Sequence, residues 1–278
     1  MTKSINTLVE DIKDVLVSRE LDKKTVSDFG QRLAAVLVDR LCEGSHKNEL
    51  RMSNFGYPDR KLWYYVNTPG DAEPLSAETR LKFLYGDIIE ELMVFLAKQS
   101  GHEVGNEQKK VSLHDVVGHI DCTIDGVVVD VKSANARSFD KFQYHNLDEY
   151  DPFGYRDQLS LYVSACRDLP DVAVKKQGSF LAVDKELGRI VLDTYNNKEI
   201  NYETETKRKT DFLAKPDPPD RCYPPVPHGS SGNAKLGVEC VYCPFKKKCW
   251  PEMKTFRYSN GDVHLVKVVR MPDVPEVT

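Results

Sequence analysis

Residues 118–134 read GHIDCTIDGVVVDVKSA, two alternating apolar runs on either side of Asp125-Gly126. An Asp-Gly pair so placed is the strongest short-range signal for a two-residue hairpin turn. If 125 and 126 form the turn, partners across the hairpin sum to 251. Asp121 then faces Asp130, and His119 faces Lys132. Side chains alternate along a strand, so Asp121, Thr123, Val128, Asp130 and Lys132 share one face. Cys122, Ile124, Val127, Val129 and Val131 take the other, which is apolar enough to be core. Directly opposed residues have Cβ atoms about 4.5–5.5 Å apart, and like charges at that distance destabilise the pair. A bound cation offsets the repulsion most simply. Two carboxylates hold Mg²⁺ or Mn²⁺ through oxygen, and the lysine beside them can act on a water or on developing phosphate charge.

Composition narrows the classes of function. The chain has 278 residues, with 39 basic against 43 acidic side chains and a net charge of −4. Its overall charge does not announce nucleic acid, although local basic clusters remain. The N-terminus has no apolar signal-peptide core, and acids interrupt every hydrophobic run, so neither export nor a membrane span is expected. The expected cytoplasmic location argues against structural disulfides among the seven cysteines. Four of them, Cys222, Cys240, Cys243 and Cys249, crowd one segment.

Outward from the hairpin, residues 6–42 carry helical periodicity. Ser76 can cap a long helix running to Gly101, with Leu84, Ile88, Leu92 and Phe95 as its buried stripe. About 20 residues after the hairpin (NARSFDKFQYHNLDEYDPFG) read as a loop, and Asp151-Pro152 introduces the helix YRDQLSLYVSACRD. GSFLAVD and GRIVLDTY suggest another strand pair, followed by a polar helix and a Pro-rich linker. The tail has room for one late strand. This order predicts an α/β fold with a mixed sheet flanked by helices.

Asp121, followed by Asp130-Val131-Lys132, resembles the D…(D/E)XK signature of the PD-(D/E)XK nuclease superfamily. Gly86-Asp87-Ile88-Ile89-Glu90 is similar to that family's upstream motif, in which an acid supplies a further metal ligand; Glu90 is the residue carried over. Gln158-Leu159-Ser160-Leu161-Tyr162 looks like the QxxxY motif of the RecB-like branch, and i to i+4 spacing puts Gln158 and Tyr162 on one helix face. The motifs also occur in that branch's order. The resemblance implies a restriction-endonuclease-like fold over roughly residues 50–250. It implies Mg²⁺ or Mn²⁺ held by Glu90, Asp121 and Asp130 with the Val131 carbonyl, Lys132 acting on the attacking water, and Gln158 and Tyr162 positioning DNA or Lys132. Arg51, Arg60 and Lys61 lie where the family approaches the DNA strand, with Trp63, Tyr64 and Tyr65 near them as stacking or core residues. His119 reads as structural.

The cysteine segment has the spacing C-x17-C-x2-C-x5-C. Four thiolates bind zinc or an iron–sulfur cluster, and spacing alone leans to zinc. CRISPR-associated RecB-like exonucleases and AddB-type helicase–nucleases have a C-terminal C-x2-C-x5-C that ligates a [4Fe–4S] cluster, and Cys240, Cys243 and Cys249 match it. In those families the remaining cysteine precedes the upstream motif. Here the comparable stretch, Tyr57-Pro58-Asp59-Arg60-Lys61, has none, and Cys42 lies too far upstream, so Cys222 is the expected fourth ligand. Lys246-Lys247-Lys248 reads equally as a phosphate contact or a solvated charge run.

The expected organisation is an N-terminal helical segment (1–45), a nuclease core (46–215), a four-cysteine iron–sulfur segment (216–253) and a tail (254–278). The expected activity is a stand-alone, metal-dependent DNA exonuclease acting on single strands or free ends, in the host cytoplasm if viral, since small free-standing members are frequent in phages. A non-cleaving DNA-end binder and a zinc-stapled endonuclease are the alternatives.

Overall fold

The computed structural model describes residues 3–18, 20–42 and 48–277. The helices in chain order are α1 (Leu8–Ser18), α2 (Lys23–Cys42), α3 (Asp59–Asn67) and α4 (Ala77–Gln99). The strands β1 (Val104–Gly105), β2 (Lys109–Leu113), β3 (Val116–Ile120), β4 (Cys122–Ile124) and β5 (Val127–Ala134) follow. Next come α5 (Ala136–Gln143), α6 (Tyr155–Ala165), β6 (Gln177–Asp184), β7 (Ile190–Asn196) and α7 (Tyr202–Leu213). The remainder is β8 (Val226–His228), β9 (Asn233–Lys235), α8 (Val238–Val241), α9 (Lys246–Cys249), β10 (Lys254–Tyr258), β11 (Gly261–Lys267) and β12 (Glu276–Val277). Among the described residues no helix is long and apolar enough to cross a membrane.

The chain forms two compact units. One comprises Met1–Lys47, Arg51–Gly56 and Leu75–Thr206; the other comprises Asn48–Leu50, Tyr57–Pro74 and Lys207–Thr278.

The first unit is built on a mixed sheet in the order β1-β4-β5-β6-β7, with β5 and β6 parallel and every other neighbour antiparallel. At its centre is the expected hairpin. Asp125 and Gly126 turn at φ 49° and 77°, the left-handed pair a type I′ turn demands. Cys122 pairs with Val129 and Ile124 with Val127, the register read from the sequence. The pairing ends there, because β3 turns away to form a two-stranded ribbon with β2. His119 therefore faces Lys110 and not Lys132.

One sheet face carries the apolar set. Cys122, Ile124, Val129, Val131 and Leu181 pack against Leu8 and Ile12 of α1 and against Met93, Val94, Leu96 and Ala97 of α4. Ser76 caps α4, accepting from the Thr79 amide. The helix ends in a Schellman turn: Gly101, at φ 80°, and His102 donate to the carbonyls of Lys98 and Ala97. The buried stripe is rotated from expectation, since Ile89 and Met93 face the core while Leu92 is 37% exposed. Packing of α2 across α4, with Phe29 stacked on Phe95 at 4.7 Å, sets that rotation.

The opposite face is covered by α6 and α5. Gly118 permits the approach of α6, for a Cβ there would meet Tyr162 at 2.8 Å and Met52 at 2.7 Å. The expected loop after the hairpin holds a helix instead. Asn135 caps α5 through Ser138, and Phe139 and Phe142 are buried.

The second unit gathers α3, part of α7, α8 and α9 around Leu62, Trp63, Tyr64, Phe212 and Phe245. Beyond the single strand expected in the tail, it holds an antiparallel sheet in the order β12-β10-β11-β9-β8.

Candidate active site and thiol site

The acids expected from the hairpin converge on the α6 face of the sheet. Asp130, on the central strand β5, is 2% exposed. Asp121 sits between β3 and β4 and accepts a hydrogen bond from the Val131 amide at 2.7 Å. Lys132, two residues on from Asp130 and on the same face, places its ammonium 2.5 Å from Asp130 Oδ2. Beyond that ion pair, the buried Oδ2 has no hydrogen-bond donor.

Glu90 comes in from α4. Its neighbours on the helix are otherwise engaged, for Asp87 pairs with Arg40 and Glu91 with Arg32. Glu90 alone of the three borders the site, where it feels the charge of Asp130. Burial, then Asp130 and Glu91, push its carboxyl up to about 7. Burial, then Asp130 and Glu90, hold Asp121 well above the carboxylate range. Burial opposes the charge on Lys132, but Asp130 and Asp121 outweigh it and keep the ammonium more firmly protonated than an ordinary lysine. The site thus concentrates negative charge that one cation inside it does not neutralise.

Helix α6 contributes Gln158 and Tyr162, joined by a hydrogen bond from the amide to the Tyr162 hydroxyl at 3.2 Å. Burial, then the charge of Asp130, raises the Tyr162 phenol. Two participants were not found from the sequence. Tyr155, one turn before Gln158, has its ring 5.0 Å from the Lys132 ammonium. It belongs to an aromatic group with Phe142, Phe153 and Phe180. Gln108, in the link between β1 and β2, donates its side-chain amide to Glu90. Tyr155 carries a readable signal, an aromatic at i−3 of the Gln158 motif; Gln108 carries none.

Among the described residues, no group of three or more His, Cys, Asp or Glu side chains is drawn tightly enough to hold an ion. The donor set nevertheless suits a hard dication. Mg²⁺ is ordinarily bound by one or two carboxylates with water completing its shell, and Asp130 Oδ2 is a buried oxygen whose one partner is the Lys132 ammonium.

In the second unit, Cys222, Cys240, Cys243 and Cys249 line one cavity with Arg60, Lys61, Tyr64, Arg221 and Trp250. Burial, then the neighbouring Cys243 and Cys249, push the Cys240 thiol up to about 11. Burial also raises Cys222 and Cys243. Thiols that oppose one another's ionisation suit a metal that displaces their protons. Cys42 is exposed at the end of α2.

Arg60 and Lys61, expected at a phosphate backbone, are committed to this unit. Arg60 donates to the Pro219 carbonyl and, at 3.0 Å, to the Tyr64 hydroxyl. Lys61 lies 3.5 Å over the Tyr57 ring, and burial lowers its ammonium. Lys246 and Lys247 pair with Glu73, and Lys248 with Asp71, so this basic run is neutralised within its own unit. Arg51 of the first unit precedes the short turn Met52–Asn54 and bridges Val117 through its backbone.

No protein-family model matches the chain, and no curated protein matches it. Seven chains of known structure do. The crystal structure of SSO0001 is 15% identical, with a TM-score of 0.44, covering 78% of this chain and 93% of its own. An alkaline exonuclease (LHK-Exo) from Laribacter hongkongensis is 12% identical, with a TM-score of 0.33, covering 58% of this chain and 88% of its own. Both likenesses are distant, and the chemistry of this chain rests on its own side chains.

Proposed function

We propose that this chain is a DNA nuclease that hydrolyses phosphodiester bonds at free ends, using Mg²⁺ or Mn²⁺. One observation carries the reading. Three acids from separate elements, Glu90, Asp121 and Asp130, gather beside a single buried lysine, and the charge of Asp130 opposes ionisation of both Glu90 and Asp121. A fold would not accumulate uncompensated carboxylates there for stability. The three would hold the ions, with the Val131 carbonyl as a further donor. When bound, such ions polarise the phosphodiester and lower the pKa of a coordinated water.

The chain's own residues divide the remaining work. Lys132, paired with Asp130, acts on the attacking water or balances charge on the phosphate. Gln158 and Tyr162, acting as a hydrogen-bonded pair, position Lys132 or the strand. The four thiolates would hold a [4Fe–4S] cluster or a zinc ion that orders the second unit, with Arg60 and Lys61 balancing its negative charge. Absorbance and metal content of the purified protein distinguish the two, because the cluster is brown and the zinc form colourless.

The activity is tested with end-labelled single-stranded and duplex DNA beside a closed circle, in Mg²⁺ and in Mn²⁺. An exonuclease spares the circle and releases short products from the outset. Equal loss of the circle marks an endonuclease, and binding without any cleavage marks a DNA-end binder.

A further inference from the structure

The link between β1 and β2 is unusually constrained for a surface connection. Asn106 and Gln108 both lie in the left-handed region, at φ 51° and 49°, which few non-glycine residues occupy without compensation. The compensation is visible at each position. Asn106 donates its side-chain amide to the Thr123 hydroxyl at 3.1 Å and accepts from the Lys109 ammonium at 2.8 Å. Glu107 pairs with Lys98 at 2.6 Å and with Arg32, and Arg32 also grips Glu91, the residue after Glu90, at 2.6 Å. Gln108 donates its backbone amide to the Asp121 carbonyl at 3.0 Å and its side-chain amide to Glu90 Oε1. A single residue therefore touches two of the three acid-bearing segments.

We infer that Gln108 is a positioning residue that tethers Glu90 beside the Asp121 segment and so restricts the rotamers Glu90 must give up on taking a metal ion. The inference rests on the reading of Glu90 as a metal ligand. A carboxylate on a long, flexible side chain loses rotamer freedom when it coordinates. An amide that already occupies one oxygen removes that cost and leaves Oε2 for the cation. The chemistry of the donor matters. A neutral amide fixes the carboxylate without cancelling the charge that attracts the ion, whereas an ammonium in its place would compete with the ion directly. Partners of this kind behind a metal ligand typically contribute about 10–100-fold to metal affinity.

The test measures Mn²⁺ binding to the full, metal-depleted chain by electron paramagnetic resonance, without DNA, and cleavage across a Mn²⁺ titration. Gln108 is exposed, so substitutions there should fold, and the unfolding temperature of the metal-free variants checks this. Gln108→Met should weaken Mn²⁺ binding by about tenfold or more, raise the Mn²⁺ concentration for half-maximal cleavage to match, and leave the rate at saturating Mn²⁺ close to the unmodified value. Gln108→Lys, which keeps a donor but adds charge, should bind Mn²⁺ more weakly still. Wild-type affinity in Gln108→Met, or recovery of affinity in Gln108→Lys, overturns the inference. Glu90→Gln is the control, and unchanged Mn²⁺ binding there removes Glu90 as a ligand and the inference with it. A chain that binds Mn²⁺ in this pattern yet cuts no DNA keeps the positioning role and loses the nuclease reading.

Discussion

Val131 donates its backbone amide to Asp121 Oδ2 across 2.7 Å, so one candidate ligand is fixed by the strand that carries the next. Asp121→Asn keeps an acceptor for that amide while removing a buried charge that Asp130 and Glu90 oppose. The metal-free variant should unfold at a higher temperature than the unmodified chain at pH 7.5, and its cleavage in Mg²⁺ should fall by at least about a hundredfold, the scale on which loss of a transition-state interaction is felt. Thermal melts in chelator and end-labelled digestion measure both. Normal cleavage would remove Asp121 from the mechanism.

Glu90 gives a signed dependence on pH. Its folded carboxyl is raised from 4.5 to about 7, so between those values the folded chain binds more protons than the unfolded one. Stability of the metal-free protein should therefore fall as pH rises through that window. Asp121, also raised, acts in the same direction. Glu90→Gln should flatten part of the slope, and Mn²⁺ should recover stability above pH 7. Melting temperatures from pH 4.5 to 8, with and without Mn²⁺, decide it, and a slope of the opposite sign in the metal-free chain would refute the assignment.

Lys132 separates an enzyme from a binder. Lys132→Met should leave affinity for DNA in Ca²⁺ within a few-fold, about the value of one phosphate contact. Hydrolysis in Mg²⁺ should fall by orders of magnitude, because the loss is felt in the transition state. Because Lys132 also neutralises Asp130, the metal-free variant should be less stable. A variant with full activity would sink the role given to Lys132.

The thiol site is tested by pairing Cys243→Ser with Cys42→Ser. The first removes one of four thiols lining the cavity and should lower bound iron or zinc and destabilise the second unit. The second changes an exposed thiol outside that set and should leave metal content as it was. Retention of metal by Cys243→Ser, or its loss from Cys42→Ser, would require a different ligand set.

How much of this was readable in the sequence depended on the range of the contact concerned. The hairpin was legible because its turn needs two residues at positive φ, and Asp125-Gly126 advertises them. The limits of α4 were legible because Ser76 and Gly101 satisfy the helix ends locally. The i to i+4 pair of Gln158 and Tyr162 was legible for the same reason. By contrast, α5 buries little beyond Phe139 and Phe142, and its polar sequence reads as a loop until Phe180 and Tyr155 supply a surface for Phe142. In the sheet of the second unit, β8, β9 and β12 are only two or three residues long, too short for alternation to register. Gln108 reaches Glu90 only because two non-glycine residues adopt left-handed backbone, which no spacing rule anticipates. Sequence position alone also did not reveal that Arg60 would meet Tyr64 and Pro219 or that Lys61 would lie over Tyr57.

The second unit is assembled from pieces far apart in the chain, and this has a consequence during synthesis. Leu62, Trp63 and Tyr64 of α3 are buried against Phe212 and Phe245, roughly 150 and 180 residues downstream. At about 5–20 residues per second, α3 leaves the ribosome on the order of ten seconds before those partners exist. Through that interval its apolar face has only the neighbouring Leu50, Tyr57 and Ala72 of its own unit against it, which makes the nascent chain a client for holding chaperones and a target for proteases. A ribosome stalled at residue 206 should display α3 in that state, and the fluorescence of Trp63 should shift to shorter wavelength only once Phe245 has emerged.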